Sequence, residues 1–232
     1  MNAAIDKRCA ATTLQEANVN ENTPKIKLLR RASNTFTDEE QAFGEKIARV
    51  HTRYAMEVVF AHRLCPFLKD PESGFGHFCI VLDEEPDLDL CFETVQNTPG
   101  VLHLVFPCIK ESYSEFWTFS STLGKRVQKS SPKSPVYAVF HPLFPGDTKT
   151  SHRLVGLLRR APDPMIQYIP PGLTTGGTVF MGSPMPPEDN AEVNYRKLQG
   201  ETLQKMLGLM EEIQAERASI IKNSSVPLDP VT

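Results

Sequence analysis

Apolar side chains recur at three- and four-residue intervals from Phe43 through Ile47, Val50, Tyr54, Val58 and Ala61, with polar residues between them. That period draws one apolar stripe along a helix suited to lie on a sheet. Thr37, followed by Asp38, Glu39 and Glu40, has the form of a capping box with acids where the helix dipole favours them. A helix is therefore expected over 37–64, closed by Pro66. Three short, nearly continuous apolar runs follow, HFCIVL at 77–82, VLHLVF at 101–106 and VYAVF at 136–140, each after a Gly- or Pro-containing turn. Runs of this kind are strands buried by helices.

Between the runs, 88–97 and 112–127 have helical character, the second opening on Ser112 and Ser114 as caps. A short helix is expected at 151–158 and a last one over about 188–221, with Val193, Leu198, Met206, Leu207, Met210 and Ile213 on its apolar face. The alternation predicts an α/β or α+β protein in which one small sheet is packed with helices; parallel, mixed and ferredoxin-like sheets all remain open.

Domain limits follow from where the patterning stops. Residues 1–36 lack apolar periodicity and read as a disordered N-terminal arm. Within it, KIKLLRR at 25–31 is a small basic cluster, read either as solvated tail or as a segment that docks on a partner. Residues 37–222 read as a single α/β domain with Pro/Gly-rich loops at 142–187, and 223–232 as a tail.

Charge and targeting signals narrow the partners. The 25 basic and 28 acidic residues leave a formal charge of -3, which supplies no field for a nucleic-acid backbone or an anionic membrane, so neither is expected. No apolar run reaches the roughly 20 residues that span a bilayer, and the first residues lack the apolar segment of a secretory signal, which predicts a cytoplasmic protein. The five cysteines contain no CxxC pair and read as reduced thiols, with Cys79 and Cys108 acting as small hydrophobes. Neither GxGxxG nor GxxxxGK[ST] occurs, TTGG at 174–177 reads as a turn, and no cofactor is indicated.

Two motifs stand apart from packing. RLCPF at 63–67 ends the first helix and FHP at 140–142 ends the third apolar run, and such ends are where α/β folds place chemistry. Beside Arg63 and His62, Cys65 could act as a nucleophile with His141 as its base. The structural alternative is that Cys65 plugs the junction and His141 caps a strand. A third reading gathers Cys65, His62, His141 and His152 around a metal, but no local ligand spacing supports it. Arg63, His152 and Gln167 are candidate binding residues, the first by its nearness to Cys65 and the others because the Pro-rich segment should fold over the strand end.

LCPF, FHP, the stretch RRAPDPMIQYI at 159–169 and a late Asn-initiated helix together resemble the DUF1415 family, small proteins of unknown function, over roughly residues 40–210. Within that likeness Met165 matches the family's Met, while Gln167 stands where the family carries His. The resemblance implies a fold and a site location, in a diverged member. The resulting expectation is a small-molecule enzyme using Cys65 and His141 in an accessory role in specialised metabolism. The alternative is a non-catalytic binding or scaffold protein that keeps the fold.

Overall fold

A computed structural model of the protein describes residues 25–65, 76–131, 133–171, 190–224 and 226. Five strands form one mixed sheet: β1 (Lys25–Leu29), β2 (His77–Val81), β3 (Leu102–Val105), β4 (Val136–Phe140) and β5 (Met165–Ile169), in the order β1-β2-β3-β5-β4. β1, β2 and β3 are mutually parallel, and β5 runs antiparallel to both of its neighbours, β3 and β4. The three apolar runs are thus strands of one sheet, as the sequence predicts. The sheet does not reproduce the ferredoxin-like arrangement left open by the sequence, because its first three strands pair in parallel.

Side chains alternate across the pleat and feed two cores. On the first face Leu28, Phe78, Ile80, Val105 and Met165 meet α1 (Asp38–Arg53), the π-helical segment Tyr54–Phe60, α4 (Ser151–Leu158), and the last helices α5 (Asn190–Lys197) and α6 (Gly200–Lys222). On the second face Leu29, Cys79, Val81, Leu104, Val139, Ile166 and Tyr168 meet α2 (Leu88–Asn97) and α3 (Tyr113–Ser130). The helix spans at 88–97, 112–127 and 151–158 are found within a few residues of their expected limits. Both capping boxes form: Thr37 accepts from the Glu40 N–H at 3.2 Å while the Glu40 carboxylate accepts from the Thr37 N–H at 2.8 Å, and Ser112 and Glu115 repeat the exchange.

Several expectations need correction. KIKLL is the edge strand β1, paired along its whole length with β2, so the fold begins by residue 25 and the disordered arm cannot extend to 36. Its lysines alternate with Ile26 and Leu28, as an exposed edge strand requires. MIQYI, assigned to the loops at 142–187, is instead the interior strand β5. The first helix changes to π geometry at Tyr54, and its stripe holds through Val58 but leaves Ala61 exposed. The final helix is broken at Leu198 and Gln199, ahead of Gly200 at φ +56°. The tail is not wholly apart either, since Val226 is buried in the first core. Pro66 and TTGG lie outside the described residues.

Candidate functional site

The sheet directs attention to its carboxyl edge. The chain leaves β3 toward α3 on the second face and leaves β4 toward α4 on the first, so the two exits diverge over the strand ends. The carboxyl ends of strands are where open α/β sheets commonly hold ligands.

RLC closes the π-helical segment. Arg63 takes a left-handed conformation at φ 52°, its N–H donates to the Phe60 carbonyl at 2.8 Å, and the Leu64 N–H reaches back to the Val59 carbonyl at 2.9 Å. This is a Schellman closure, with Leu64 and Val59 both packed on the first core. Cys65 emerges from it half-buried, anchored by the Asn194 amide, which donates to the Leu64 carbonyl at 3.2 Å. The Arg63 side chain is exposed.

His141 directly follows the last residue of β4. Its ring is only 1% exposed and stands among Tyr113 and Phe116 of α3, with centroids 5.2 and 5.7 Å away. Nδ1 accepts the Leu143 N–H at 3.0 Å, which fixes the turn through Pro142 and leaves the hydrogen of the neutral ring on Nε2. Nε2 is buried without a partner among the described residues. Burial alone lowers the pKa of His141 from 6.5 to about 4.

This shift has a definite sign. The unfolded chain takes up a proton near pH 6.5 that the folded protein refuses until about pH 4, so stability falls as the pH drops through that window. The loss amounts to roughly 2 kcal/mol by pH 4.5. His141→Asn keeps an acceptor for the Leu143 N–H and removes the titration. Urea midpoints at pH 7 and 4.5 should therefore converge in the variant, and an undiminished acid loss would count against the assignment.

A residue that the sequence reading passed over stands beside the His141 turn. Arg159, at the end of α4, accepts the His141 N–H on its carbonyl at 3.0 Å. Its guanidinium lies over the Phe144 ring, 5.6 Å from the centroid. Burial lowers the pKa of Arg159, and the neighbouring Tyr113 and Tyr54 partly offset the shift. Tyr54 donates to the Leu158 carbonyl; burial raises its pKa, Arg159 opposes that rise, and Cys65 is near enough to add to it. Arg159 and Tyr113 thus each touch both His141 and Phe144, and Tyr54 lies within reach of the Arg159 charge.

No carboxylate or hydrogen-bond acceptor meets the Arg159 guanidinium among the described residues. The adjacent Arg160, by contrast, donates to the carbonyls of Phe144 and Gly146, each at 3.0 Å. Asp147, the acid of that loop, is taken by Arg153 at 2.5 Å. From sequence, an arginine ending a short helix reads as a favourable dipole partner, and only the packing around Arg159 reveals its isolation.

The other candidates fall elsewhere. His152 is exposed on the first turn of α4, 3.4 Å from the Ser151 hydroxyl. Gln167 sits mid-strand in β5 between His103 and Ala138, away from the edge where a residue of the Pro-rich segment was expected. Among the described residues no three His, Cys, Asp or Glu side chains converge to hold a metal. Burial pushes the Cys79 thiol up to about 11 and the Cys108 thiol to about 12, in keeping with inert packing.

A second polar cluster was also missed. Asp163, 0% exposed, accepts from His51 Nε2 at 3.1 Å and from Arg217 Nε at 2.7 Å, and Arg217 also donates to the Pro107 carbonyl at 3.2 Å. Burial raises the Asp163 pKa, but the bond from His51 and the charge of Arg217 outweigh it and leave the net shift downward. The cluster ties α1 and α6 to the loops at the ends of β3 and β5. Its burial makes it a clamp rather than an open site.

No known protein family, curated protein or solved structure matches the chain. No helix among the described residues is long and apolar enough to cross a membrane.

Proposed function

We propose that the protein binds a small oxyanion at the carboxyl edge of its sheet, with Arg159 as the counter-charge and Cys65 at the margin. The observation that carries this reading is the half-buried guanidinium of Arg159, set near Tyr54, Tyr113 and Phe144 with no acceptor bonded to it among the described residues. A desolvated charge without a partner costs folding free energy. A carboxylate or phosphate, which matches the planar guanidinium fork, supplies what is missing.

Within this reading His141 is a positioning residue. Its acceptor nitrogen is committed to Leu143, and its backbone N–H holds the Arg159 carbonyl. Cys65 is then the candidate nucleophile for any covalent step on the bound molecule. A scaffold would hold its partner through KIKLLRR or the C-terminal helix, but both spend apolar residues inside the fold: Leu28 and Leu29 in β1, and Leu203, Met206, Met210 and Ile213 in α6.

Thermal unfolding with inorganic phosphate or acetate at fixed ionic strength tests the proposal. A ligand present at ten times its Kd adds about 1.4 kcal/mol, or roughly 3–5 °C for a domain of this size. Arg159→Met, which keeps the aliphatic stem on Phe144, should abolish that rise. An equal rise in both proteins would overturn the proposal.

A further inference from the structure

The surface beside Arg159 is aromatic. Tyr113, Trp117 and Phe144 contact one another, with ring centroids 6.2 Å apart for Tyr113 and Trp117, 5.6 Å for Tyr113 and Phe144, and 6.0 Å for Trp117 and Phe144. Phe144 is also the ring beneath the Arg159 guanidinium. Trp117 is nevertheless 42% exposed and Leu143, in the same loop as Phe144, is 53% exposed. Among the described residues the only other large hydrophobic side chain so exposed is Val136, at the far end of β4. Two of the three thus fall in the elements that carry the Phe144 ring and its partners, beside the half-buried Arg159 guanidinium, to which no acceptor is bonded among the described residues.

Resting on the oxyanion reading above, we infer that the ligand is an aromatic oxyanion, an aryl carboxylate or aryl phosphate, whose charged end meets Arg159 and whose ring lies against Trp117. The juxtaposition supplies both halves of that recognition. Arginine takes either oxyanion through its two-pronged face. An exposed indole offers an apolar plane with one polar edge and few rotamers to freeze, which suits a flat ring. An aliphatic anion would use the guanidinium and leave the indole wet.

The chain contains a single tryptophan, so its fluorescence reports on this position alone. The experiment titrates the full chain with benzoate and phenyl phosphate, and with acetate and inorganic phosphate as their ring-free counterparts. Trp117 emission and calorimetry are followed at constant ionic strength. The aromatic member of each pair should bind roughly 3–10-fold more tightly, the range that aromatic contacts supply, and should change the emission. By calorimetry Trp117→Ala should lose the preference while Trp117→Phe retains most of it. Comparison of benzoate with phenyl phosphate distinguishes the two oxyanions. Equal affinity within each pair, with binding still lost in Arg159→Met, would overturn the aromatic assignment and leave the oxyanion site standing. Failure of all four compounds to bind in the millimolar range, or binding indifferent to Arg159, would overturn the oxyanion site and this inference with it.

Discussion

Alanine at position 163 is expected to lower stability by roughly 3–5 kcal/mol, the range found when one partner of a buried ion pair is removed. Without the carboxylate, the Arg217 guanidinium stays buried with only the Pro107 carbonyl, and the His51 donor loses its acceptor. Four separate elements converge there, so the loss acts on the whole fold and not on one loop. A domain with an ordinary reserve of about 5–15 kcal/mol would be left marginal. Asp163→Asn keeps the shape and loses the charge, and should fall between alanine and the native residue. The pH dependence has the same sign as that of His141 but sets in at a lower pH. Because the folded carboxyl titrates below its ordinary 3.8, its contribution is complete above that value and disappears as the pH falls through the lower folded value. Urea unfolding measures both effects, and a loss under about 1 kcal/mol in Asp163→Ala would contradict the clamp.

The other large effect concerns the start of the chain. A protein beginning at residue 36 should be less stable than one beginning at residue 25 by about 4 kcal/mol or more, since burial of Leu28 and Leu29 alone contributes roughly 1.5–3 kcal/mol each. Both leucines are almost fully buried, one in each core, and β1 also covers the edge of β2. Gly44 on α1 lies so close to Leu28 that a Cβ there would stand 2.4 Å from Leu28 Cδ2, a measure of how tightly the helix seats on the strand. Equal urea midpoints for the two chains would show that β1 is an ornament of the sheet.

What the sequence disclosed and what it concealed have physical causes. Thr37 with Glu40 and Ser112 with Glu115 announce their helices because the capping interaction is local. HFCIVL, VLHLVF and VYAVF announce strands because burial on two faces demands continuous apolar runs. KIKLL was obscured because an edge strand carries lysines, which also mark a solvated tail. MIQYI was obscured because it contains Gln167 and lies between Pro164 and Pro170, in a stretch crowded with loop residues.

The site was legible only as a neighbourhood. RLC ends the π-helical segment in a Schellman closure and FHP turns the chain after β4 through its histidine, both of which depend on local residue types. Arg159 and the Asp163 clamp involve partners far apart in the chain, and their character comes from desolvation, which no spacing encodes.

Arg159 itself gives the most direct test of the oxyanion site. In isotopically labelled protein its Nε–H resonance, assigned by its disappearance in Arg159→Met, should shift saturably as inorganic phosphate is added at fixed ionic strength. The exposed Arg63 and the paired Arg153 should stay where they are. An Arg159 resonance that does not move, or one that drifts in step with the other arginines without saturating, would contradict the site.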